Sequence, residues 1–120
     1  MKPEIIAQIQ VAEYVKQCTD LPFIHIANER STSPQSGALL KRMGVYKGVS
    51  DIFIPRANKT CHGLFIELKV GKNKPSVEQF NFIHRMNEEG YGGFVAYSSD
   101  EAIKIIQEFY GLNNYGKTII

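Results

Sequence analysis

The chain is poor in the features that mark most secreted, membrane and cofactor-dependent proteins. Cysteine occurs twice, at Cys18 and Cys61, without a C-x-x-C spacing, so no disulfide framework is expected and a reducing cytosol is the simplest compartment. No apolar run approaches the length that spans a bilayer, and Met1-Lys2-Pro3-Glu4 leads into a segment carrying Gln8, Gln10 and Glu13, not the apolar block of a signal peptide. The expectation is a soluble, cytoplasmic protein without membrane contact. No glycine-rich loop reaches a lysine and a hydroxyl as a P-loop does, and Gly44 to Gly48 lacks dinucleotide spacing, so no small-molecule cofactor is expected. No serine or cysteine stands in a nucleophile elbow, which disfavours hydrolysis through a covalent intermediate. His25, His62 and His84 have no ligand-spaced partners, which argues against zinc. Internal repeats and low-complexity tracts are absent, and nothing reads as a separate base-reading helix.

With 120 residues, 43% of them hydrophobic, the chain can bury one core and is read as a single domain over residues 1–120. Pro3 suits a helix's first turn, and Ile5, Ile6, Ile9, Ala12 and Val15 make an apolar stripe running to about Gln17. Phe23 to Ala27 reads as a short strand and Ser31 to Gly37 as a loop, before a short helix through Leu39, Leu40 and Met43 that Gly44 ends. Two strands follow, about Val49 to Pro55 and Gly63 to Val70. Ser76-Val77-Glu78-Gln79 is a capping box opening a helix through Phe80, Ile83 and Met86 that stops near Gly90. Gly93 to Tyr97 reads as a buried strand, and Ser98-Ser99-Asp100-Glu101 caps a last helix through Ile105 and Phe109. The predicted order, α-β-(α)-β-β-α-β-α, gives an α/β fold with an αβββαβ core, a mixed sheet and flanking helices. Beyond it lies a tail, Asn113 to Ile120, apolar at its end, which either frays or packs against a partner chain.

The informative stretches are Gly48-Val49-Ser50-Asp51 and Ile66-Glu67-Leu68-Lys69. Their apolar, β-branched and aromatic flanks place two acids and a lysine on buried strands, where charge requires a partner. Residues two apart on a strand share a face, so Glu67 and Lys69 point one way and Ile66 and Leu68 the other. Pairing of the two strands through the loop from Pro55 to Gly63 would bring Asp51 to the same place. Crowded carboxylates repel, and a cation must balance them. Lys69 supplies one charge. Mg²⁺, held by one or two carboxylates plus waters and phosphate oxygens, suits the rest, which is the composition of a phosphodiester-cleaving site.

An acid, a hairpin and then Glu-x-Lys resembles the PD-(D/E)XK nuclease superfamily, with a restriction-endonuclease-like core. Within it the chain is most similar to the VRR-NUC family, which includes small stand-alone phage proteins and the nuclease domain of the Fanconi-associated nuclease. The similarity runs from about Pro3 to the last helix through Glu4 with Gln8 or Gln10, Asn28-Glu29-Arg30-Ser31, Leu40-Lys41, Gly48-Val49-Ser50-Asp51, Ile66-Glu67-Leu68-Lys69, Ser76 with Gln79, and Glu89-Gly90-Tyr91. Ser50 departs from the family, which usually has proline there. The substitution is expected to be tolerated, because proline contributes backbone shape and not chemistry. The resemblance implies a structure-selective DNA endonuclease acting as a homodimer on branched or flapped DNA, in the manner of a Holliday-junction resolvase. Phage encoding would place it in the host cytoplasm. Asp51, Glu67 and the Leu68 carbonyl would hold Mg²⁺ or Mn²⁺, and Lys69 would orient or help deprotonate water. Glu4 would complete the acidic cluster with one metal or two, and Gln79 would support the site. The alternative is a non-catalytic DNA-binding or assembly module that kept the fold, and a third possibility is a nuclease with sequence preference.

The formal net charge is only +2, yet between Arg30 and Lys74 nine basic residues meet two acids, Asp51 and Glu67. That distribution suits a reader of phosphate backbones, with Asn28, Arg30, Lys41, Arg42, Lys47, Lys72 and Lys74 as candidate DNA contacts. Each has a plainer reading. The basic run is a solvated face, Asp51 with Lys69 a cross-strand ion pair, and Glu67 an edge charge. Glu4 is an acid favoured by a helix dipole, Gln79 a cap, and Asn28-Glu29-Arg30 a turn with a surface ion pair.

Overall fold

The computed structural model describes residues 1–27 and 34–113. The elements in chain order are α1 (Pro3–Cys18), β1 (Ile24–His25), α2 (Pro34–Arg42), β2 (Ile52–Ile54), β3 (Leu64–Leu68), α3 (Val77–Glu88), β4 (Gly92–Ala96) and α4 (Ser99–Tyr110). The order is the one read from sequence. The tail beyond residue 113 and the Asn28-Glu29-Arg30 motif lie outside the described residues.

One mixed sheet has the order β1-β2-β3-β4. β1 and β2 are antiparallel, as are β2 and β3, where Ile52 faces Ile66 and Ile54 faces Leu64. β3 and β4 are parallel, which requires a crossover, and α3 supplies it. Every residue of β3 is buried, because helices cover both sides of the sheet. Ile52, Ile54, Leu64, Ile66 and Leu68 form the core with Ala7, Val11 and Val15 of α1 and with Ala102 and Ile106 of α4. On the opposite face Phe53 stacks on Phe65, and Phe65 meets Phe82 of α3 and Tyr91 edge-on.

Four sequence readings need correction. The buried stripe of α1 is Ala7, Val11 and Val15, whereas Ile5, Ile6 and Ile9 are 48%, 43% and 39% exposed. Small residues let α1 sit close to α4 over the core, and the larger isoleucines are turned aside. Pro34 to Gly37, read as loop, opens α2, with proline in the first turn where its missing N–H costs nothing. In α3 the buried side chains are Phe82 and Ile83, and Phe80 is turned outward. β4 is buried only at its ends, with Phe94 exposed. Capping proceeds as expected: Ser76 and Gln79 bond reciprocally, and the Ser98 hydroxyl accepts from Glu101 N–H.

Candidate metal centre

Asp51 stands one residue before β2, and continuation of the β2–β3 register sets it across from Glu67. Its carbonyl accepts from Ile26 N–H at 2.7 Å and from His25 Nδ1 at 3.1 Å, and its Oδ2 accepts from Leu68 N–H at 2.9 Å. Because the carbonyl can only accept, His25 carries its hydrogen on Nδ1 in this contact. The main chain of three adjacent strand segments therefore aims the Asp51 carboxylate. Gly48, at φ +89°, brings the preceding loop so close to α3 that a Cβ there would lie 2.5 Å from the Glu78 carbonyl carbon.

Glu67 is 1% exposed. Lys69 Nζ stands 3.9 Å from its Oε2, and its Oε1 has no hydrogen-bond partner among the described residues. Burial, and after it the adjacent Asp51 carboxyl, push Glu67 up to about 9, against the pull of Lys69. Two neighbouring ionised carboxylates can only accept. A proton or a cation is needed between them.

These groups line a cleft of about 870 Å³ with Glu4, Gln8, His25, Lys47, Ser76 and Gln79. The Leu68 side chain belongs to the core, so its main chain is what borders the cleft. Glu4 is held at the cleft by the Asn73 amide, which donates to its Oε1 at 2.9 Å. No three His, Cys, Asp or Glu side chains converge on one point among the described residues. The donor set is thus two carboxylates with a main-chain edge, and an orphaned buried oxygen fits a hard divalent cation that keeps several waters.

Of the helix-1 glutamines, Gln10 accepts from the Ser99 hydroxyl at 2.6 Å, whereas Gln8 borders the cleft with a buried Nε2 that has no partner among the described residues. Gln79 accepts from Ser76 N–H through Oε1 at 2.8 Å, so any contact it makes in the cleft falls to its NH₂. Lys47 lines the cleft 3.6 Å from Glu78, while Lys41 and Arg42 on α2 line neither this cleft nor the neighbouring groove. Lys72 and Lys74 lie in the turn after Lys69 and line that groove. Asn28 and Arg30 fall outside the described residues. Sequence reasoning passed over His25 and Asn73, whose roles are contacts 26 and 69 residues away along the chain and leave no local pattern. Ser50 is fully buried, and its hydroxyl has no partner among the described residues.

No family model and no curated protein matches the chain. Solved structures do. A protein described as "VRR_NUC domain protein" is 29% identical, with a TM-score of 0.72 over 98% of this chain and 96% of that one. A second, described as "VRR_NUC domain", shares 18% identity with a TM-score of 0.62 over 92% of this chain and 100% of that one, which speaks for the fold alone. With the mixed sheet, the crossover helix and the paired strands in the same arrangement, the chain has the VRR-NUC family fold, a nuclease fold.

Proposed function

We propose that the protein is a metal-dependent, structure-selective DNA endonuclease that hydrolyses phosphodiester bonds in branched or flapped DNA. The observation that carries this reading is the pair of half-buried Asp51 and buried Glu67, with a Glu67 oxygen unpartnered among the described residues and Lys69 beside it, lining an open cleft. Asp51, Glu67 and the Leu68 carbonyl would hold Mg²⁺ or Mn²⁺, with Glu4 at the edge. When bound, the cation supplies positive charge against a non-bridging phosphate oxygen and offsets the charge that grows there. Lys69 orients the attacking water and helps remove its proton, as one P–O bond forms and the bond to the leaving oxygen breaks. Gln8 and the NH₂ of Gln79 donate to phosphate oxygens. Lys47, Lys72 and Lys74 hold the flanking backbone, with Lys41, Arg42, Asn28 and Arg30 as further contacts. Symmetric nicking of a four-way junction needs two sites related by a two-fold axis, so a homodimer is the working form.

The test is incubation with labelled duplex, flap and four-way-junction DNA in Mg²⁺, Mn²⁺ or EDTA. Cleavage with metal is expected, and Asp51→Asn or Lys69→Ala lowers kcat by about 100-fold or more. A protein that cuts none of these, or a Lys69→Ala variant that cuts as well as the parent, leaves only the fold and overturns the enzymatic reading.

A further inference from the structure

Beside the cleft, the turn after β3 and the first turn of α3 enclose a second groove, lined by Gly71, Lys72, Asn73, Lys74, Pro75, Phe80 and Tyr97. Its composition sets it apart. Phe80 is 59% and Tyr97 41% exposed, and neither ring packs on another aromatic among the described residues, although Phe53, Phe65, Phe82 and Tyr91 all do. Lys72 and Lys74 have no ion-pair partner among the described residues, and no acid lines the groove. Two open rings beside two free ammonium groups serve no purpose in the core.

The groove also adjoins the cleft along the chain. Lys69, Ser76 and Gln79 line the cleft, while Gly71, Pro75 and Phe80, one or two residues from them, line the groove. The Asn73 amide bonded to Glu4 ties the turn to α1 and fixes its place. Aromatic faces beside positive charge are how single-stranded nucleic acid is held: bases stack on rings, and ammonium groups follow the backbone. In a duplex each base face is already covered by its neighbour, so stacking here selects unpaired nucleotides.

We infer that this groove binds the unpaired strand next to the cut site, with bases stacked on Phe80 and Tyr97 and phosphates on Lys72 and Lys74. The inference rests on the nuclease reading for its meaning but not for its measurement. The groove makes an unpaired flank the feature of branched DNA that the protein selects.

The chain contains no tryptophan, so Phe80→Trp installs a lone indole in the groove. Titrated in EDTA with an oligothymidylate, the F80W protein is expected to show quenched indole emission. An abasic oligomer of equal length and charge is expected to bind about tenfold more weakly. In the parent sequence, Phe80→Leu and Tyr97→Leu each weaken oligothymidylate binding about five- to tenfold while the melting temperature holds, since both side chains are largely exposed. Equal affinity for the abasic oligomer, or unchanged affinity in both leucine variants, overturns the stacking site and leaves a basic turn alone. Loss of a dimer on sedimentation of the F80L protein, without loss of oligothymidylate binding, overturns it in favour of a contact between copies. Cleavage of flap DNA by the parent protein in Mn²⁺ is scored separately. Its failure removes the nuclease reading and leaves the binding measurement standing; cleavage without any preference for bases over abasic strand removes the groove alone.

Discussion

At the scale of single residues, the site trades stability for charge. Glu67 is the clearest case: its carboxyl is buried against another carboxyl, with one oxygen unpartnered. At neutral pH folding must put a proton on this carboxyl, a cost that a side chain neutral in both states does not bear, so Glu67→Gln is expected to raise the melting temperature of the metal-free protein while abolishing cleavage. Thermal unfolding in chelator alongside the flap assay checks both halves; a destabilised Glu67→Gln protein would contradict the account. Ser50 bears a similar cost with no evident chemical return. Its hydroxyl is fully buried without a partner, and Ser50→Ala is expected to stabilise the fold by about 1 kcal/mol in urea titration. The site glutamine illustrates what a residue-level reading misses. Gln8 and Gln10 are chemically identical, and only the position of Ser99 on α4 separates them.

At the scale of elements, most boundaries carried a chemical signal. The Ser76–Gln79 capping box, the left-handed glycines Gly44 and Gly90, and the apolar β3 were all readable, because each acts through its near neighbours. What failed was the choice of buried face on α1 and α3. Ile5, Ile6 and Ile9 are more hydrophobic than Ala7, but burial depends on which side of α1 meets α4 and the core, and that is set elsewhere in the chain. The loop before Asp51 is the element on which the site depends most. Gly48 combines positive φ with main-chain contact to α3, so Gly48→Ala is expected to cost roughly 1–3 kcal/mol and to lower cleavage more than its loss of stability explains. A chevron and a kcat measured well below the unfolding temperature separate the two effects; a Gly48→Ala protein with parental stability would show that the close approach is relaxed in solution.

For the whole molecule, Glu67 couples folding to pH and, on the proposed function, to metal. Unfolded, Glu67 titrates at its ordinary 4.5; folded, it titrates at about 9. Between those values the folded state retains a proton that the unfolded state has lost, so the stability Glu67 contributes is full below about 4.5 and is lost as pH rises through about 9. The metal-free melting temperature should therefore fall from pH about 5 to about 8.5 on this account. On the proposed function a divalent cation would bind the ionised pair and displace the Glu67 proton, so the gain in melting temperature from Mn²⁺ or Mg²⁺ should grow over the same range. A scanning-calorimetry series in chelator and in metal checks this. A gain that is largest at low pH, or absent throughout, would contradict the pair as the cation site. No helix among the described residues is long and apolar enough to cross a membrane.

The sequence by itself determined the element order, the mixed sheet and the pairing of Asp51 with Glu67. These follow from period, capping and the two-residue repeat of a strand, all of which act over short spans. Tertiary structure decided which helix face is buried, which glutamine borders the cleft, that Asn73 holds Glu4, and that Phe80 and Tyr97 stand open beside Lys72 and Lys74. Each of those depends on the distance between segments far apart along the chain, and no local pattern encodes that distance.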